Sequence, residues 1–126
     1  MTKYNPLVEP NKDDWLELSE DDRMNAVRWF HECSHNDLDN DALSIHSRVH
    51  IIVENQLAMG VEIVSEAITK LIRQGLDRHD AIHAIGAILS ENLFDVVRGE
   101  STEFSPQQYR RKLEKITAKR WRKGQY

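Results

Sequence analysis

The chain has 126 residues, of which 40% are apolar and 30% charged, and its formal net charge is −4. A chain of that length can bury one hydrophobic core but not two, so we predict a single domain over residues 1–126. No apolar run approaches the roughly 18 residues that a membrane-spanning helix needs, so the sequence predicts no such helix.

The N-terminus and the cysteine content predict a cytoplasmic location. The first residues, MTKYNPLVEPNKDD, have no apolar core flanked by basic residues and no small-residue cleavage site, so we predict no secretory signal. The single cysteine, Cys33, cannot form an internal disulfide, which fits a protein kept in a reducing compartment.

Charge is distributed unevenly along the chain. Residues 106–126 contain eight basic residues and one acidic residue, a net charge of +7. Residues 1–105 contain nine basic and 20 acidic residues, a net charge of −11. The C-terminal segment therefore has the opposite sign to the rest of the chain.

The N-terminal third of the chain predicts an arm followed by a helix. Residues 1–12 are polar and show no periodicity, so we predict an extended arm, pinned by Trp15, that leads into a short turn at residues 13–18. Ser19 followed by three acidic residues is typical of a helix start, and the first helix is predicted over about residues 20–35. Its predicted core stripe contains Met24, Val27, Trp29 and Phe30.

Three further helices are separated by short links. The second is predicted over about residues 41–59 and ends at Gly60, and its apolar residues surround much of its circumference, as in a central helix. The third is predicted over about residues 62–74. Asp77 can cap the fourth, which is predicted over about residues 78–98.

A basic fifth helix is predicted over residues 105–123, because Ser105 is a favourable cap and Pro106 suits the first helical position. No segment alternates apolar and polar residues with period two over a useful length, so no strand is predicted. The predicted fold class is all-α. The short links favour an up-down bundle of about four helices, with the basic C-terminal helix packed across it or projecting from it.

The six histidines all occur in pairs with a spacing of four residues. Residues four apart lie on one face of a helix, one turn apart. In an up-down bundle, pairs near the starts of the second and fourth helices would lie at one level and point at the axis, which is how bundle proteins build metal sites. The pairs are His31 with His35, His46 with His50, and His79 with His83.

Two of these pairs are candidate ligands for one divalent transition metal. Imidazole with one or two carboxylates suits zinc or non-haem iron better than magnesium or calcium, and no motif indicates an organic cofactor. Zinc would activate a water molecule, whereas iron would favour oxygen or redox chemistry. The predicted ligands are His46, His50, Glu54, His79 and His83, and Asp80 and Glu91 are predicted to orient them by accepting the second imidazole proton.

These motifs resemble those of a known family. A His-x3-His-x3-Glu-x-Gln segment starts at His46 and an Arg-His-Asp-x-x-His segment starts at Arg78. Over about residues 42–98 the chain is similar to a family of small bacterial proteins of unknown function. The resemblance implies ligand-type side chains on an apolar face, where burial requires partners. It does not extend to His31 and His35, so we expect that pair to be peripheral and exposed at a helix end.

The alternative function is a non-enzymatic helical interaction or oligomerisation module in which the histidines are structural. Histidine pairs with this spacing also occur half-buried and hydrogen-bonded to backbone or carboxylate groups. Ile51 and Ile52 are neighbours on a helix that is apolar nearly all round, so part of that surface is a candidate homodimer contact.

The basic C-terminal helix also has two interpretations. Its cations could contact phosphates while Tyr109 or Trp121 stacks on bases. We favour the packing of Leu113, Ile116 and Ala118 on the body, with the cations against its carboxylates. The negative net charge of the chain also disfavours a dedicated nucleic-acid binder.

Overall fold

A computed structural model of the chain describes residues 4–34, 40–97 and 105–124, and every regular element among them is a helix. The all-α class is therefore confirmed, whereas the up-down bundle stays a prediction. Two compact units are present, the N-terminal unit (Met1–Val61) and the C-terminal unit (Glu62–Tyr126), and the single domain also stays a prediction. No helix within the described ranges has both the length and the apolarity that crossing a membrane requires.

Helix α1 (Lys12–Glu17) occupies the segment for which the sequence predicted a turn. The side chain of Asn11 caps it by accepting a hydrogen bond from the backbone N–H of Asp14 at 3.1 Å. Asp13 and Asp14 lie in its first turn, where negative charge is favourable. The turn prediction was wrong because a helix of six residues is too short to show an apolar period, and only its cap identifies it.

Helices α2 (Glu20–Ser34) and α3 (Asn40–Ala58) pack against each other, and α1 packs on α3. Ser19 caps α2, since its Oγ atom accepts a hydrogen bond from the backbone N–H of Asp22 at 3.1 Å. Gly60 follows α3 with a φ of 74°, the left-handed conformation expected after a helix C-terminus. Both helices are confirmed, with bounds within one residue of the prediction.

The N-terminal segment belongs to the hydrophobic core of the N-terminal unit. Tyr4 is only 6% exposed and packs with Trp15, with ring centroids 5.8 Å apart, so the predicted contact of the arm with Trp15 is confirmed. The indole N–H of Trp15 donates to the Asn55 side chain at 2.9 Å, which ties α1 to α3. Besides Tyr4 and Trp15, this core contains Ala26 and Val27, with Leu18, Phe30, Ile51 and Ala58 packed against it.

Trp29 is not part of that core, because 56% of its surface is exposed. Val27 is fully buried on the inward face of α2. Two residues further on, the side chain points to the opposite side, since each residue advances by about 100° around a helix. Ile45 on α3 is likewise 57% exposed. The apolar residues of α3 therefore do not all face the core. The predicted core stripe was wrong at Trp29.

The C-terminal unit begins with helices α4 (Glu62–Arg73) and α5 (Arg78–Val97), which pack against each other. Asp77 caps α5 as predicted, because its Oδ1 atom accepts a hydrogen bond from the backbone N–H of Asp80 at 2.7 Å. Gly75 takes a φ of 106° in the link. Apolar residues spaced three or four apart form the buried face of α4, namely Val64, Ala67, Ile68 and Leu71.

The single basic helix predicted over residues 105–123 is two helices, α6 (Pro106–Lys115) and α7 (Ala118–Arg122). Ser105 caps α6, as predicted, through the backbone N–H of Gln108 at 3.3 Å. Ile116 takes an extended conformation, and Thr117 then caps α7 by accepting a hydrogen bond from the backbone N–H of Arg120 at 3.1 Å. A second local cap thus interrupts an otherwise continuous helical pattern.

Lys70 joins α4 to the end of α6. Its Nζ atom donates hydrogen bonds to the carbonyl oxygens of Leu113 and Glu114, both at 3.0 Å. A cation at this end satisfies carbonyls of the last turn, which have no partner within the helix. Burial lowers the pKa of Lys70, and the nearby Glu114 carboxylate opposes that shift.

Candidate metal centre

Three histidines form a compact cluster in the N-terminal unit. His31 lies on α2, and His46 and His50 lie one turn apart on α3. The ring centroid of His31 is 4.5 Å from that of His46 and 4.4 Å from that of His50. The centroids of His46 and His50 are 4.9 Å apart. The packing of α2 on α3 therefore joins residues that the sequence assigned to a peripheral and a central pair.

His31 is fully buried, so the expectation that it is exposed at a helix end is wrong. Its Nδ1 atom lies 2.8 Å from the carbonyl oxygen of Val27. A signal for this burial was present in the sequence, because His31 follows Val27 by one helical turn and shares its inward face. His35, the other member of the predicted pair, lies outside the described residues.

His50 and Glu54 are buried with Tyr4. Their side chains are 1% and 2% exposed, respectively. The Tyr4 hydroxyl donates a hydrogen bond to Oε2 of Glu54 at 2.6 Å. The hydroxyl oxygen of Tyr4 also lies 3.0 Å from Nδ1 of His50. Glu54, a predicted metal ligand, is thus engaged with a phenol from the N-terminal segment. The sequence did not identify Tyr4 as part of the site.

In the C-terminal unit, His79 and His83 lie one turn apart on α5, with ring centroids 4.2 Å apart. Both side chains are half-buried. The two carboxylates predicted to orient the ligands are exposed. One of them, Glu91, pairs with Nζ of Lys112 at 2.9 Å.

Each unit contains a pair of histidines that could supply ligands to a metal ion. In the N-terminal unit, one ring nitrogen of His31 lies within 4.8 Å of one of His50, and in the C-terminal unit the same holds for His79 and His83. Three of these four histidines belong to the predicted ligand set, and His31 does not. His46 and Glu54, which do belong to that set, lie beside His50 through ring contact and through Tyr4, respectively.

The spacing within each pair suits two ligands of a tetrahedral ion after a modest adjustment. Nitrogens about 2.1 Å from zinc in a tetrahedral shell lie about 3.4 Å from one another. The two side chains of a pair would need to close from at most 4.8 Å, a movement within reach of small side-chain rotations. Neutral imidazoles match zinc, iron, copper and nickel rather than calcium or magnesium.

Comparison of the chain with protein-family models, with curated proteins and with solved structures found no match. The resemblance to a bacterial family of unknown function accordingly stays a prediction. The function is argued below from the residues of the site.

Proposed function

We propose that the protein binds divalent transition-metal ions through His31 and His50 in the N-terminal unit and through His79 and His83 in the C-terminal unit. The observation that carries the proposal is that each pair places one ring nitrogen of one histidine within 4.8 Å of one of the other. Two imidazoles with this spacing can bind the same metal ion.

The donor set favours zinc or iron(II). Zinc takes four nitrogen or sulfur ligands in structural sites and keeps one position for water in catalytic sites. Each pair supplies two imidazoles, so either ion would keep further positions for carboxylates or water. Zinc would activate such a water molecule, whereas iron(II) would use the open positions for oxygen chemistry.

Metal content measured on the purified chain tests this proposal. Protein prepared without a histidine tag, from cells supplied with zinc, iron and manganese, is expected to contain bound transition metal by elemental analysis. His31→Ala and His83→Ala should each lower the metal content. His46→Ala is the matched control, because it removes an imidazole in ring contact with His31 and His50 without removing a member of either pair.

The test separates the proposed ligand set from the one predicted by sequence. Loss of metal from His46→Ala with retention in His31→Ala would restore the predicted set, which contained His46 and not His31. Wild-type protein that stays free of all three metals would overturn the metal-binding proposal altogether. Circular dichroism of each variant confirms that the helical fold survives the substitution.

The second candidate function is an interaction module with structural histidines. The observation that favours it is a group of exposed large apolar side chains in the N-terminal unit. Exposure of such side chains to water is unfavourable, and a binding partner would bury them. The prediction placed this role on Ile51 and Ile52, but both are half-buried and Ile51 packs against the core. Among the described residues of this unit, those exposed are Leu7, Val8, Leu16, Trp29, Ile45 and Met59.

A further inference from the structure

We propose that Tyr4 is a positioning residue for His50, holding its imidazole in the tautomer that carries hydrogen on Nδ1 and a lone pair on Nε2. The phenol does this because its own proton is committed to Glu54. The inference rests on the proposed function for the role of His50 as a ligand, whereas the tautomer itself exists in the metal-free protein.

The direction of the hydrogen bonds follows from the chemistry of the three groups. The Tyr4 hydroxyl donates to Oε2 of Glu54 at 2.6 Å, and this hydrogen bond uses its single proton. The phenol oxygen can then only accept along its 3.0 Å contact with Nδ1 of His50. His50 must donate through Nδ1, and its Nε2 atom is the one left to bind a metal ion.

Packing keeps the phenol in place. The Tyr4 side chain is 6% exposed, and its ring meets the rings of Phe30 and His50 edge to face, with centroid distances of 6.0 Å in both cases. Backbone hydrogen bonding begins immediately after it, where the N–H of Val8 donates to the carbonyl of Asn5 at 3.0 Å. The phenol therefore has a fixed position from which to orient an imidazole.

His31 reaches the same tautomer by a different route. Its Nδ1 atom donates to the backbone carbonyl of Val27, which no side-chain substitution removes. The partner of His50 is a side chain 46 residues away, so it can be removed by mutation. Groups that orient a ligating histidine typically change metal affinity by about 10-fold to 100-fold when they are lost.

Tyr4→Phe is the direct test, because it removes the hydroxyl and keeps the buried ring. Long-range proton–nitrogen NMR spectra of metal-free protein at about pH 8 report which imidazole nitrogen carries hydrogen. Wild-type His50 is expected to carry it on Nδ1, and Tyr4→Phe is expected to gain the Nε2–H form. Zinc affinity, measured by competition with a chelating dye, should fall by about 10-fold to 100-fold.

Glu54→Met gives an independent version of the same test. Without its carboxylate acceptor, the Tyr4 hydroxyl can donate its proton to Nδ1 of His50, so the tautomer should switch to Nε2–H while the phenol remains. Trp15→Phe is the matched control, since it disturbs a ring beside Tyr4 and a hydrogen bond to Asn55 but leaves His50 untouched. It should lower stability without changing the tautomer.

Two results would overturn the inference. One is a wild-type His50 that carries hydrogen on Nε2, and the other is a Tyr4→Phe protein whose His50 tautomer equals that of wild type. Neither result depends on the success of the proposed function. A wild-type protein that binds no metal but shows His50 as Nδ1–H refutes the metal site and leaves the Tyr4 assignment standing.

Discussion

The Nδ1 atom of His31 lies 2.8 Å from the carbonyl oxygen of Val27, one turn earlier on α2. A carbonyl only accepts hydrogen bonds, so the imidazole donates through Nδ1 and its Nε2 atom is the one able to bind a metal. Full burial fixes the ring in this orientation. His46 is its natural comparison, because the two ring centroids are 4.5 Å apart and only His31 pairs with His50 as a candidate ligand.

Zinc should therefore stabilise wild-type protein and His46→Ala more than His31→Ala. A ligand that binds only the folded state adds about 2.7 kcal/mol to the free energy of unfolding at a concentration 100 times its Kd. Differential scanning fluorimetry with zinc and then with excess chelator measures the shift in Tm and its reversal. An equal shift in all three proteins would remove His31 from the ligand set.

Substitution of Ser47 is expected to stabilise the protein, unlike most substitutions of buried residues. Its side chain is fully buried, and its Oγ atom has no hydrogen-bond partner within the part of the chain that the structure describes. A buried hydroxyl in that state costs about 1–3 kcal/mol. Ser47→Ala should therefore increase the free energy of unfolding by about 1 kcal/mol or more, as measured by urea denaturation.

Ser19→Ala is the control for that experiment, because this serine accepts a hydrogen bond from the backbone of Asp22 at the start of α2. Loss of such a cap costs about 1 kcal/mol, so the two serine substitutions should shift the urea midpoint in opposite directions. A destabilised Ser47→Ala protein would mean that the Ser47 hydroxyl has a polar partner, such as a buried water molecule.

The features of the fold that could be predicted are those encoded locally. Ser19, Asp77 and Ser105 each identified a helix start, because a capping side chain bonds to an amide only three residues away. The same physics explains the error at residues 116–117. The apolar pattern continues through Ile116, but Thr117 caps a new helix. A helical period alone does not show whether one helix continues through this point or a second helix begins there.

The features of the site that could not be predicted depend on contacts between distant parts of the chain. Tyr4 and His50 are 46 residues apart, and nothing in the sequence around either indicates their hydrogen bond. His31 was missed for a different reason. Its position one turn after Val27 indicated burial, but its pair lies outside the segment that resembles the bacterial family, and that resemblance outweighed the local pattern.

The two tryptophans of the N-terminal unit should respond very differently to substitution. Trp15 is 3% exposed and Trp29 is 56% exposed. Replacing a buried tryptophan by alanine typically costs about 3–5 kcal/mol, whereas an exposed substitution typically changes stability by less than about 0.5 kcal/mol. Chemical denaturation of Trp15→Ala and Trp29→Ala measures both values, and equal losses would place Trp29 in the core as first predicted.

Substitution of Trp29 also tests whether the protein is an interaction module. If the exposed apolar residues bind a second copy, the wild-type protein should show a mass that rises with concentration in light scattering, and Trp29→Ala should remain monomeric. Ile72→Ala is a matched control from the C-terminal unit, because Ile72 on α4 is 44% exposed and does not belong to the proposed contact residues. A wild-type protein that stays monomeric at every concentration contradicts the homodimer prediction.

The burial of Tyr109 leads to a prediction for the stability of the protein at alkaline pH. Burial raises the pKa of Tyr109 well above its ordinary value of 10.0, because the charged phenolate is poorly solvated in the core of the C-terminal unit. The folded state therefore holds this proton at a pH where the unfolded chain has released it. The resulting stability is complete below the ordinary pKa and is lost as pH rises from there towards the folded-state pKa.

Wild-type protein should accordingly lose stability more steeply than Tyr109→Phe as pH rises above about 10. Denaturation curves collected across that range measure the slope for each protein. The difference in ultraviolet absorbance between the two proteins isolates the phenolate of Tyr109 from those of the other tyrosines. That signal should appear only together with the loss of helical circular dichroism. A phenolate that forms at ordinary pH while the helices remain intact would show that water reaches the Tyr109 hydroxyl in the folded state.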